Sequence, residues 1–162
     1  MNRPPSHSEH HHMDLQGNGG ARNRFDTYPF GKFESDTLSI ARMFFVSFHL
    51  PQRNAWVSAF EFGEDTFGRQ SGALITKTVL DTVNELRIAR TSGFEYCDPF
   101  CPTCREFLTR EERYLVSIIH QMRERNMASA KMNAMLLCEG GDTQKMMNHI
   151  ADLISFAPET VH

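Results

Sequence analysis

Three cysteines stand at C-x3-C-x2-C spacing in the stretch EYCDPFCPTCREFLTREE, namely Cys97, Cys101 and Cys104. Acidic and proline residues surround them, so packing of small apolar side chains is a poor account of all three together. Turns of this kind can present sulfurs about 2.3 Å from one zinc ion, which prefers four thiolate or imidazole ligands in a tetrahedron. Three thiolates leave that set one short. A helix over 110–125 would be about 24 Å long, and an antiparallel helix over 127–138 would return about 18 Å of it, ending Cys138 roughly one turn from the loop. Cys138 is therefore the leading fourth ligand, with His120, His149 and the weaker oxygen donor Asp98 behind it. Following MLL, Cys138 also reads as a small core residue.

The same spacing resembles the cluster motif of the radical S-adenosylmethionine enzymes, in which three thiolates hold a four-iron cluster. That resemblance covers Cys97, Cys101 and Cys104 alone and implies a parallel barrel. Here Thr103 stands where an aromatic usually precedes the last cysteine, and fewer than sixty residues follow the motif. A barrel cannot be built from them, and the EGGD at 139–142 is explained by a helix cap. Zinc thus leads, with an iron–sulfur cluster behind it. A redox-sensing set of free thiols is the further alternative, since the start of the next helix would favour a thiolate.

Six helices are expected to position the loop, making the protein all-α and a compact bundle. Leu38, Ala41, Phe44, Phe45 and Phe48 follow the helical period up to Pro51, and a second helix presents Trp56, Ala59, Phe60 and Phe67 on one face, weakened at Gly63. Eleven of the seventeen aromatics lie between Phe25 and Phe67, which predicts buried core positions for Phe44, Phe48, Trp56 and Phe60. A third stripe holds Ile75, Val79, Val83 and Leu86, with Thr76, Thr78 and Asn84 off it. Thr109 to Glu112 matches a capping box before Leu115, Ile118, Ile119 and Met122. A fifth helix ends at Gly140 or Gly141, and Asp142 caps a sixth carrying Met146, Met147, Ile150, Leu153 and Ile154.

Residues 1–24 are rich in Pro, Ser, Gly, Asn and His and poor in large apolar side chains, which predicts a disordered arm. Its His7, His10, His11 and His12 could capture a metal ion, although a solvated cluster is the simpler account. Residues 25–162 then form a single domain: an aromatic-rich half at 25–90, the cysteine loop at 91–108 and C-terminal helices at 109–157. The aromatics of FDTYPFGKF, around Pro29 and Gly31, are expected to lie across the core.

Net charge is −3, so no global basic field draws the chain to nucleic acid. From Arg105 to Lys131 six basic residues face four acidic ones. A helix-turn-helix drawn there would offer only Lys131 and Asn133 to read bases, so a DNA-binding regulator is the alternative rather than the first choice. The longest apolar run, MFFVSFHL, is too short to span a bilayer, and the first residues lack a secretory signal, so a cytoplasmic protein away from the membrane is expected. No nucleophile elbow, phosphate loop or metalloprotease helix suggests an enzyme. A water-bearing site with His120 or Glu106 as base is the one catalytic arrangement the loop would allow. The expectation is a regulatory zinc protein that acts by binding another protein.

Overall fold

The computed structural model describes residues 22–158. Six α-helices are present among them: α1 (Lys32–His49), α2 (Ala55–Phe67), α3 (Arg69–Ala89), α4 (Arg110–Arg123), α5 (Met127–Leu137) and α6 (Gln144–Ser155). The all-α expectation holds, with one addition. A two-residue strand β1 (Asn23–Arg24) pairs antiparallel with β2 (Phe107–Leu108), Asn23 opposite Leu108 and Arg24 opposite Phe107. Residues 1–21 of the expected arm, with His7 and His10 to His12, lie outside the described residues. No described helix is long and apolar enough to cross a membrane.

The helices stop where their sequences say they should. Pro51 follows α1, Gly68 breaks α2 from α3 at φ 81°, and Gly140 at φ 78° ends α5. Left-handed backbone of this kind suits glycine because no Cβ collides with the carbonyl. The α4 box forms as expected: the Glu112 amide donates to Thr109 Oγ1 at 3.1 Å, and the Thr109 amide donates to Glu112 Oε2 at 2.9 Å. Asp142 Oδ1 accepts the Gln144 amide at the start of α6.

The main core takes its side chains from all six helices, and the predicted stripes of α3, α4 and α6 supply much of it. A second cluster of Leu38, Leu108 and Val116 is covered by Phe25, Tyr28 and Phe30, so the segment before α1 does lie across buried surface. The aromatic expectation fails at Trp56, which is 52% exposed. On α2 the buried positions are Ala55, Ala59 and Gly63 instead. Gly63 explains the difference, because it lets the α2 backbone rest directly on α3. A Cβ there would overlap Thr76 Oγ1, and one at Gly72 would lie 2.7 Å from the Glu64 Cα. Thr76, expected off the buried stripe, is fully buried at this crossing, and its hydroxyl has no hydrogen-bond partner among the described residues.

Candidate metal centre

The cysteine loop is fixed from beneath by a buried ion pair. Arg42 on α1 and Glu112 on α4 are both enclosed, with Nε to Oε1 at 2.6 Å and Nη2 to Oε2 at 2.9 Å. The same guanidinium donates to the Arg105 carbonyl at 3.0 Å and the Phe107 carbonyl at 2.6 Å. The carboxylate also accepts the Cys97 amide at 2.9 Å. Both ends of the loop are thereby tied to one salt bridge. Burying such a pair is tolerable only when the remaining donors and acceptors are used, and here they are.

Upstream, Phe94 stacks on Phe45 with ring centres 4.1 Å apart, and Tyr96 stacks between Phe45 and His49. Asp98 shapes the turn, its Oδ1 accepting the Phe100 amide and its carbonyl the Cys101 amide. Arg53 lies across the Phe100 ring and within 3.8 Å of Asp98.

Within this frame the four cysteines have different surroundings. Cys101 and Cys104 are half-buried neighbours, and the Cys104 amide donates to Cys101 Sγ at 3.3 Å. The Cys104 side chain and then that amide favour the thiolate of Cys101 and hold it below its ordinary pKa. Cys104, as donor beside a developing thiolate, is pushed up. Cys97 is only 2% exposed; burial, and then the Glu112 charge, raise its thiol to about 12. It is protonated at neutral pH.

Cys138 is fully enclosed in the main core, its Sγ 3.8 Å from Met146 Sδ, and burial raises its pKa as well. α4 ends at Arg123, two residues short of the expected 125, and α5 at Leu137, so that Cys138 caps α5 with its sulfur toward Met146 of α6. Among the described residues no three His, Cys, Asp or Glu side chains gather as metal ligands, so Cys97, Cys101, Cys104 and Cys138 are not brought together. His120 faces Glu34 at 3.5 Å, His149 is half-buried on α6, and Glu106 pairs with Arg24 at 3.1 Å.

Beside the loop an open cleft of about 440 Å³ is lined by Arg24 and Arg105 but also by Asp26 and Glu106, so it offers no field of one sign. Comparison with known proteins finds no match to a family, a curated protein or a solved structure.

The buried Arg42 was not anticipated. Its signal was a charged residue inside an apolar helical run. The chemistry available at the loop is that of a dithiol: two sulfur donors for a soft or borderline metal ion, or a nucleophilic and a resolving thiol.

Proposed function

We propose that this is a cytoplasmic regulatory protein that acts by binding another protein, with zinc held at the cysteine loop as a structural clamp. The observation that carries the reading is the Cys101–Cys104 pair, two adjacent accessible sulfurs on a loop anchored at both ends by Arg42 and Glu112. A rigid two-thiolate platform reduces the entropy lost when a metal binds. Elemental analysis of untagged, natively purified protein tests it: about one zinc per chain is expected, lost in Cys101→Ser and Cys104→Ser and kept in Cys138→Ser. Metal-free protein that takes up no added zinc would reject the clamp.

The character of α5 favours a protein partner over DNA. Its outward side carries Met132, Met135 and Leu136, each more than half exposed, which suit apolar contact and not base edges. Of the arginines that a DNA reader would need, Arg123 pairs with Glu34 at 2.7 Å, Arg110 with Glu111 at 3.1 Å and Arg113 lies over the Tyr114 ring, which leaves Arg125 exposed. A photo-crosslinker at Met135 should trap a partner in cells, and Met132→Glu with Leu136→Glu should abolish the adduct without lowering the melting temperature.

One observation favours a second reading, a redox sensor. The unequal thiols suit disulfide exchange, in which the Cys101 thiolate attacks an oxidised glutathione disulfide and releases one glutathione thiol. Cys104 then attacks the mixed disulfide, releases the second and loses its proton to solvent. Oxidised glutathione should then yield a Cys101–Cys104 disulfide by peptide mass. Reaction at Cys97 instead would reject this reading.

A further inference from the structure

The zinc reading leaves an arithmetic gap. A structural zinc takes four nitrogen or sulfur ligands in a closed site, and the loop supplies Cys101 and Cys104. Cys97 is buried at the root of the loop, and Cys138 faces Met146 in the core. Among the described residues no third histidine, cysteine or acid joins the pair.

The two sulfurs sit on a part of the chain that projects. Cys97 and Leu108 are both buried, whereas every residue from Asp98 to Phe107 between them is half-buried or exposed, and Phe100, Pro102 and Thr103 stand in the open. The projection is stiff, because Arg42 holds the Arg105 and Phe107 carbonyls from beneath. Cys101 and Cys104 share one turn, in which the Cys104 amide donates to Cys101 Sγ at 3.3 Å. An amide aimed at sulfur favours the thiolate that a metal needs.

What is missing is a second dithiol, and another copy of the same loop supplies one. A tetrahedron has two-fold axes that exchange one pair of corners for the other pair. Two identical loops related by a two-fold axis through the metal therefore meet the geometry zinc prefers. Charge fits as well. Four thiolates around Zn2+ leave two negative charges in excess, and the ion's surroundings must answer them. Arg105, next to Cys104, is exposed, and the fold engages its carbonyl and leaves its guanidinium unpaired among the described residues, so each chain brings one cation to the centre. Arg53 and Asp98, 3.8 Å apart beside Phe100, and Glu106 add both signs around it. Two copies thus approach without a like-signed field between them.

Resting on the zinc reading above, we infer that Cys101 and Cys104 of two copies of this chain share one four-thiolate zinc, which joins the loops across a two-fold axis and makes the protein a zinc-dependent homodimer. The partner at the loop is then a second copy of this chain. Metal–sulfur bonding, more than buried area, carries the association. Free zinc sets the fraction of dimer by mass action, so chelation separates the chains.

Zn2+ and Co2+ alone, added to untagged full-length chain under a non-thiol reductant, test this, with molecular mass read by light scattering. Expected is a monomer in chelator, a dimer holding one zinc per two chains, and a cobalt spectrum with tetrahedral bands and charge transfer from four thiolates. A clamp completed within one chain takes one zinc per chain, so the count separates the two arrangements. Cys101→Ser and Cys104→Ser should each stay monomeric with zinc. Arg105→Glu, which leaves every ligand in place, should weaken the zinc-linked dimer by about tenfold. Circular dichroism checks that each variant is folded. One zinc per chain on a monomer would overturn the inference and leave the zinc reading standing. Uptake of no zinc would overturn both. A dimer that persists in chelator, or that Cys101→Ser and Cys104→Ser leave intact, would place the contact elsewhere and reject the shared centre.

Discussion

The two ends of the α1–α4 pair are built from the same parts and used differently. Each helix has a glutamate in its third position that accepts a backbone amide ahead of the helix: Glu34 from Gly31 at 3.1 Å and Glu112 from Thr109 at 2.9 Å. Each acid also receives an arginine from the other helix, Arg123 for Glu34 and Arg42 for Glu112. The Glu112 end is sealed, with both carboxylate oxygens taken by one guanidinium whose remaining donors hold the cysteine loop. At the Glu34 end, Arg123 passes over the Phe33 ring and donates to the Pro158 carbonyl, with His120 beside the acid. One end fixes a loop, whereas the other secures the segment that follows α6. A buried acid at a helix start thus serves as an anchor whose cargo depends on what the arginine reaches next.

The sharpest way to break this comparison is Glu112→Ala. Leaving Arg42 buried without its counterion should cost about 3–5 kcal/mol in denaturant unfolding and expose amides 95–108 to exchange. A loss below 1 kcal/mol would mean that the loop stands without its anchor. Arg123→Ala should cost less, roughly 1.5–3 kcal/mol for the lost charged hydrogen bonds, with faster exchange confined to the region near Phe156. Equal losses at both ends would erase the distinction drawn here.

A third carboxylate sharpens it by contrast, because Glu139 is a surface group. It accepts the Thr91 and Ser92 hydroxyls and amides, which hold it at about 2, below its ordinary 4.5. A depressed carboxylate pKa adds stability that is fully present above the ordinary value and is lost as pH falls through the folded one. Glu139→Gln should therefore flatten the stability profile between about pH 4.5 and 2 while leaving its shape at higher pH unchanged. An unaltered acid limb would dissociate Glu139 from that behaviour. The smallest effect is expected at Trp56→Ala, within about 0.5 kcal/mol for an exposed site. A cost of about 3–5 kcal/mol would restore it to the core.

Trp56 also shows what could be read from the chain and what could not. The stripes of α3, α4 and α6 were legible because large apolar residues recur at helical spacing, and the Thr109–Glu112 box is a local pattern. α2 defeats that logic. Its inward face is small, Ala55, Ala59 and Gly63, because close backbone approach replaces side-chain bulk. Helix length sets roughly where α5 ends but not which way its last residues face, and the Cys138 sulfur faces Met146. The β1–β2 pair joins two-residue strands far apart in sequence, with no alternation to announce either. The cysteine triplet was legible as a cluster of thiols, but the division between a half-buried pair and a sealed Cys97 depends on burial and on Glu112, 15 positions further on, neither of which the spacing of the cysteines announces.

The partners in the Arg42–Glu112 bridge lie 70 residues apart, and this distance orders events during synthesis. When α1 leaves the ribosome, Arg42 sits in an apolar stripe with its counterion not yet made. α2 and α3 can close on each other at once, since the Gly63–Gly72 crossing is local. Non-local pairs form late because the intervening chain must first be gathered. Until Glu112 emerges, burying that face of α1 would cost the desolvation of an unpaired guanidinium. The Arg42–Glu112 bridge cannot close before α4 is made, and the Glu34–Arg123 pair, 89 residues apart, waits for the far end of the same helix.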